Sequence, residues 1–543
     1  MRKFILLDHS LRDTGGHHFP YAASVLQAAE AAGFAPALAT HRDFVDTAAF
    51  PSRWPLHALF PAVSYSVHTL DTQAAPAGPE VPLARWLEPL QSRWRRMQRQ
   101  RHIAQFAAAC GELFQRVPLA DGDLVFLPTV SELDLHGLAA YMASVPALPA
   151  VQWHAMVHFG IHRDRDWRKH DDTRATEAMR ASLRTSLEGC ARQRLRLWCT
   201  TEPLADQYRA LGVAEFAALP YPVHPYFSEF RQLRLQPLPA RIACLGHARR
   251  EKNQRALPAL LQLLWADAFA GGRARLVVQN ARPPLRRALM GCIRRLSAAL
   301  PAAAGAAPVE CSAGKLDEAQ YAHLVCDSDI GLLLYDARRY HDRCSGVLLE
   351  MLVAGVPVVV PARSWLGEQI AAANQDWLRE SAQALQAEGR LERLSLSGAA
   401  TRPLPAGTRG VLLTVELPAT AADGFPVGLI QRHVSGDAIG RQRLWIEPAR
   451  GQQVCRRLLP LSAGCHAVTV QSEVPLTVDA VTGPVPPQGA IGLAIDDANG
   501  AAAALRDILD HIEHYKRRSA LHAVRCADDC SSARIIERLL ERA

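Results

Sequence analysis

The stretch 329–361, DIGLLLYDARRYHDRCSGVLLEMLVAGVPVVVP, constrains the chain more than any other. It opens with an apolar run, Ile330 to Leu334, that ends at Tyr335 and Asp336, and it closes with a second run, Val356 to Val360. Short, continuously apolar runs are the pattern of parallel strands buried on both faces. Between them a polar loop, Asp336 to Ser345, leads to Gly346 and a helical stretch, Val347 to Ala354, stopped by Gly355 and Pro357. A strand–helix–strand unit belongs in an open α/β sheet, and such sheets bind ligands outside the carboxyl ends of their strands. Ser345, Gly346 and Val347 fall at the helix N-terminus, where free N–H groups and the helix dipole favour a phosphate. Gly346 has no Cβ to hold a ligand off the backbone. Glu350 lies one turn into the helix, and Asp342 stands eight positions before it. Ionised carboxylates only accept hydrogen bonds, so these two suit hydroxyl groups, such as a ribose and a sugar.

A second motif begins the same half of the chain. The apolar run Ala240 to Leu245 ends in GHARREKNQ, which sets Arg249 and Lys252 after Gly246. Cations above a helix N-terminus neutralise a leaving diphosphate.

With these two motifs the chain resembles the retaining GT-B glycosyltransferases of the large family 4 class (glycosyl transferases group 1). The resemblance rests on Asp342, Ser345-Gly346, Glu350, Ala354-Gly355 and Pro357-Val358-Val359, and on Lys252 six positions after Gly246. Asp342 stands for the usual first Glu, Ser345 takes the usual Gly position, Met351 replaces the usual Ala, and His247 replaces an Arg often seen there. The resemblance implies an α/β chain of two Rossmann-like domains (GT-B) that uses a nucleotide-diphospho-sugar as co-substrate, with no cofactor and no metal. It implies that Arg249, Lys252 and the amides of Ser345, Gly346 and Val347 meet the donor phosphates. Glu350 would hold the ribose, and Asp342 would contact the sugar. Cys311 to Gly314 would hold the base.

The N-terminal half reads as a further series of strands and helices. Residues 4–7 are a strand, and the loop DHSLRDTGGHHFPY leads into a helix from Phe19 to Ala32 and a strand from Ala37 to Thr40. The turn is not a G-x-G-x-x-G fingerprint. It resembles the Gly-Gly loop of GT-B transferases, which implies Gly16 on the donor side and His17 on the acceptor or sugar side. Strands follow at 123–127, 149–154, 195–200 and 217–219, and Pro220 to Pro225 reads as a linker. His154, His158 and His162 are four apart, a spacing that could hold a metal on a helix, but Gly160 breaks a helix here. The resemblance instead implies that His154 touches the donor sugar, with His158 as the second candidate.

From about 390 to 486 the texture changes to short alternating runs separated by Gly, Pro and Ser, the pattern of a small antiparallel sandwich. The expected organisation is an acceptor-side domain at 1–225, a donor domain at 238–372 plus 487–520, and an inserted all-β sandwich-like domain at 390–486. The end of the chain, 521–543, is expected to pack back on the first domain. A helix is expected from Asn499 to Arg517.

Net charge is +8, which permits phosphorylated ligands or an anionic surface but demands neither, and nothing points to nucleic acid. The 12 Cys show no C-x-x-C pair, as expected of reduced thiols in a cytoplasmic protein. The N-terminus has no signal-peptide core, and no apolar run is long enough to span a membrane. In 85–102 six Arg face one Glu, and Trp86, Leu87, Leu90, Trp94 and Met97 recur at helical spacing. This segment could touch an anionic membrane from the cytoplasmic side. The favoured reading is a solvated Arg face with a core-facing Trp stripe. The function expected is transfer of a sugar to a carbohydrate or lipid-linked acceptor in glycan or glycolipid biosynthesis. The alternatives are a non-catalytic GT-B scaffold that binds glycan through the β-domain, and a nucleotide-sugar epimerase of the same architecture.

Overall fold

Apolar strands and the helices between them assemble into two parallel sheets, one in each of two units. The first unit is 1–224 with 342–346 and 528–543, and the second is 225–341 with 347–527. The structure is a computed structural model. It describes residues 1–541 apart from 15–17, 46, 63–81, 163–172, 192, 237, 247–248, 304–306, 313–315, 395–400, 418–423 and 447, with backbone alone at 47 and 82–91.

The first unit runs β1 (Lys3–Asp8), α1 (His18–Ala31), β2 (Ala35–His41), β3 (Leu56–Phe60), α2 (Pro82–Arg116), β4 (Leu124–Val130), α3 (Glu132–Ser144), β5 (Gln152–Val157), α4 (Thr173–Cys190), β6 (Arg194–Cys199), α5 (Glu202–Arg209) and β7 (Phe216–Ala218). The strands form one parallel sheet in the order β3-β2-β1-β4-β5-β6-β7. Strand order turns back between β1 and β4, which is the switch point where such sheets open a crevice. The two-residue period of β1 splits its side chains between the two layers. Phe4 and Leu6 pack with Tyr21, Val25 and Leu26 of α1. Ile5 and Leu7 pack with Phe106 and Leu113 of α2 and Leu138 of α3. Ser131 and Asp134 form a reciprocal cap at the start of α3. On α2, Trp94 and Met97 are 46% and 60% exposed, so these two members of the expected core-facing stripe face solvent instead. The side chains of Trp86, Leu87 and Leu90 lie outside the described residues.

The second unit runs β8 (Ala240–Cys244), α6 (Leu257–Leu263), β9 (Ala274–Gln279), α7 (Pro283–Ala299), β10 (Val309–Ser312), α8 (Glu318–Cys326), β11 (Ile330–Leu332), α9 (Gly346–Val353), β12 (Val358–Pro361) and α10 (Trp365–Ala387). Eight strands follow: β13 (Leu391–Leu394), β14 (Thr401–Pro403), β15 (Thr408–Glu416), β16 (Phe425–Arg432), β17 (Ala438–Ile446), β18 (Val454–Pro460), β19 (Ala467–Ser472) and β20 (Leu476–Thr482). The chain then returns to β21 (Gly492–Ile495), α11 (Ala498–Asp510) and α12 (Ile512–Asp529). The expected single helix at 499–517 is interrupted at His511. A last helix, α13 (Ser532–Leu540), packs on α1 in the first unit through Ile535, Ile536 and Leu539.

The parallel sheet of this unit has the order β10-β9-β8-β11-β12-β21. Met351 of α9 has 0% exposure and lies against Gly331 of β11, where a Cβ would collide with its sulfur. The unusual Met beside Glu350 is therefore a core filler matched to a glycine. The eight strands between α10 and β21 form two antiparallel sheets, β13-β20-β15-β18 and β14-β19-β16-β17. Val411, Leu413 and Val478 of one sheet share a core with Val427, Leu429 and Val470 of the other. Gln375 of α10 anchors this sandwich. Its amide accepts from Arg456 N–H (2.7 Å) and donates to Arg456 C=O (3.0 Å), pairing with the edge strand β18 as a further strand would.

Candidate active site

In the second unit, β8 ends at Gly246, whose φ of +94° suits glycine and whose N–H donates to Gln279 Oε1 at 2.7 Å. A Cβ on Gly246 would collide with Lys252 Nζ and come within 3.6 Å of a Val347 methyl. The chain thus brings Lys252 and the first turn of α9 together over the end of β8. Lys252 Nζ sits 5.1 Å from the centre of the Tyr335 ring and 3.5 Å from Leu245 O. Burial pushes its pKa down from the ordinary value, and the Arg249 charge adds to that. Arg249 itself is exposed, in extended backbone just before a short 3-10 turn, Arg250–Lys252. His247 and Gly314 lie outside the described residues.

Glu350 is one turn along α9. Its Oε2 accepts from Tyr321 Oη of α8 at 2.7 Å. Burial pushes its carboxyl up to about 7, against the opposing pull of the Tyr321 hydrogen bond and the Lys252 charge. A carboxyl in this state ionises near neutrality, so its capacity to accept from a ligand hydroxyl depends on pH.

Asp342, Ser345 and Gly346 belong to the first unit. The carbonyl of Asp342 accepts from Thr201 Oγ1 at 2.6 Å. Its carboxylate rests on Gly160, where a Cβ would strike Oδ2. With Asp342 only 3% exposed, the carboxylate is enclosed rather than presented. In this arrangement Asp342 anchors the loop that leads into α9. Ser345 is buried, and Gly346 packs on the Tyr221 ring, with room for a Cβ only at 3.4 Å.

At the carboxyl edge of β1 and β4, the first unit holds a recess lined by Asp8, His18, Tyr21, Thr129, His158 and Tyr221. Asp8 Oδ2 lies 3.1 Å from His18 Nδ1, and Asp8 Oδ1 accepts from Ser10 N–H at 3.0 Å. Burial opposes the charge on Asp8, but His18 outweighs it and holds the carboxyl below its usual range. Burial likewise opposes a charged His18, and Asp8 outweighs it, raising the imidazole. His158 pairs with Pro128 O through Nε2 at 2.6 Å, and burial pushes its pKa down to about 4. The ring is therefore neutral, with Nε2 donating and Nδ1 an acceptor. The Tyr21 hydroxyl is buried without a hydrogen-bond partner among the described residues.

His154, expected at the sugar, lies outside this recess. It sits on β5 with 0% exposure, and its Nδ1 accepts from Trp198 Nε1–H at 3.1 Å beneath the stacked indole. Burial lowers its pKa to about 3. Of the two histidines it is His158 that lines the recess. Gly16 and His17 lie outside the described residues. Reasoning from sequence missed Tyr321, Tyr335, Tyr21 and the Asp8–His18 pair. Asp8 had a signal, since it ends an apolar strand run at the carboxyl edge. The tyrosines had none, because nothing local to them indicates which strand end they reach.

No family model and no curated protein matches the chain. Among solved structures, it is similar to the N-terminal domain of a trehalose-6-phosphate phosphatase from Candida albicans, at 10% identity and a TM-score of 0.46, over 69% of this chain and 85% of that one. It is similar to a trehalose-6-phosphate protein of E. coli bound with UDP-2-fluoro glucose, at 12% identity and a TM-score of 0.45, over 68% and 86%. It is also similar to a UDP-forming alpha,alpha-trehalose-phosphate synthase from Burkholderia xenovorans, at 13% identity and a TM-score of 0.43, again over 68% and 86%.

Proposed function

We propose that the chain is a glycosyltransferase that moves a sugar from a nucleotide-diphospho-sugar to an acceptor hydroxyl, with retention and without a metal, in the making of a glycan or glycolipid. The observation that carries this reading is Lys252 held against Gly246 beside the first turn of α9, with Glu350 one turn further along. A half-buried ammonium next to a helix N-terminus is a site for phosphate oxygens. Lys252, Arg249 and the amides of Ser345, Gly346 and Val347 take the diphosphate. Glu350, ionised, takes ribose hydroxyls. Asp342 positions the loop through Thr201 and Gly160, and His158 serves the sugar side.

Catalysis on this reading is electrostatic. The bond from the anomeric carbon to the diphosphate oxygen breaks while Lys252, Arg249 and the amides receive the developing charge. The acceptor oxygen forms its bond on the same face, and its proton passes to the departing diphosphate oxygen. The test is a thermal-shift series with UDP, GDP and ADP. A nucleotide at 100 times its dissociation constant adds about 2.7 kcal/mol. The reading requires a shift with one nucleotide that Glu350→Ala reduces, and silence with all three would end it.

The exposure of Trp94 and Met97 on an arginine-rich helix favours an additional property, contact with an anionic membrane surface. Co-sedimentation with anionic vesicles that is lost in the double variant Arg95→Glu, Arg96→Glu is the expected result.

A further inference from the structure

We infer that the recess of the first unit seats the acceptor, and that the acceptor group it takes is an uncharged sugar bearing free hydroxyls rather than a sugar phosphate. The inference rests on the transferase reading for the word acceptor, but the binding it claims can be measured without it. The first observation is the Tyr21 hydroxyl. It lies in a side chain only 6% exposed, lines the recess and has no hydrogen-bond partner among the described residues. A buried hydroxyl left unpaired is costly, and a ligand hydroxyl relieves it. The second is the lining's chemistry. Asp8 contributes an ionised carboxylate, Thr129 a hydroxyl and His158 a neutral ring, and none of the described lining residues is Lys or Arg. A phosphate brought here meets a like charge, and the only positive charge among the described lining residues, His18, is already paired with Asp8. Sugar hydroxyls, which donate and accept, match Tyr21 Oη, Thr129 Oγ1 and the acceptor nitrogen of His158. The third is shape. The recess is partly open to solvent, and the Tyr21 and Tyr221 rings meet edge-on at 5.7 Å, giving it an aromatic wall.

The test is titration calorimetry on the full chain with glucose, mannose and N-acetylglucosamine, set against glucose 6-phosphate and mannose 6-phosphate. At least one neutral sugar should bind ten times more tightly than either phosphate. Tyr21→Phe, which removes only the hydroxyl, should weaken it at least fivefold and leave any nucleotide-induced thermal shift in place. His158→Ala is the second variant and should weaken the same sugar. Binding of no sugar, phosphates that bind as well or better, or an unaffected Tyr21→Phe would each overturn the inference. In that last case water alone serves Tyr21. A sugar that binds through Tyr21 to a protein with no nucleotide shift leaves the recess standing and removes the transferase reading. Nucleotide binding without sugar binding does the reverse.

Discussion

Beyond the carboxyl ends of β8 and β11, the groups brought together are Lys252, Arg249 and the first turn of α9, with Glu350 ionising only near neutrality. Beyond the carboxyl ends of β1 and β4, they are the Asp8–His18 pair, Thr129, His158 and an unpaired tyrosine. Both edges come from the same strand–loop–helix plan, with continuous apolar strands buried on both faces. The frame therefore sets only where a ligand can bind. The few side chains beyond each strand end set its charge, cationic in the second unit and close to neutral in the first.

Four changes would break or sharpen that contrast. The largest effect should come from Lys252→Ala. Hydrogen bonds to a charged group are worth about 1.5–3 kcal/mol, so nucleoside diphosphate affinity should fall by up to about 100-fold by calorimetry. Neutral-sugar binding should be untouched, and an equal loss of both would dissolve the contrast. Gly160→Ala should come next. The added methyl strikes the Asp342 carboxylate, and overpacking of this kind costs about 1–3 kcal/mol, visible as a lower Tm. An unchanged Tm would mean that Asp342 is not held where it lies.

Glu350 gives the third. If only the ionised form accepts ribose hydroxyls, nucleotide affinity should rise as pH passes upward through about 7. It should be about tenfold stronger at pH 8 than at pH 6. Glu350→Gln should flatten that profile. The stability sign runs the other way. A folded-state pKa raised from 4.5 to about 7 means the buried charge costs stability as pH climbs through that window. Glu350→Gln should therefore raise Tm relative to the native chain at pH 8 and change it little near pH 4. The smallest effect should be that of Arg249→Ala. Arg249 is exposed, so the loss should be about threefold and should shrink further in high salt.

The two parallel sheets, the antiparallel runs between α10 and β21, and the helix that opens at Gly346 were legible in the sequence. Each follows from local pattern: apolar runs, alternation, and a glycine at a helix start. Lys252 and Glu350 were singled out in the sequence by motif position, Lys252 in the loop after β8 and Glu350 in the helix that follows β11. The sequence pattern linked Asp342 to Glu350 by spacing alone, and the structure gives each its own partners. The loop 342–346 belongs with Thr201 and Gly160 in the first unit, while Glu350 joins Tyr321 in the second.

Local order along the chain thus determined which segments become strands and where their ends carry charge, because hydrophobic periodicity and glycine placement act over a few residues. Burial and partner choice act over the whole chain, and only the tertiary structure decided them. Trp198, 44 positions away, donates to His154 and covers it; burial by the surrounding fold raises the Glu350 carboxyl, and Tyr321, 29 positions away, opposes that rise. Tyr21 of α1 packs edge-on against Tyr221, and its hydroxyl has no hydrogen-bond partner among the described residues. A side chain's charge state and accessibility depend on what folding places beside it, and that neighbour is seldom its neighbour in sequence.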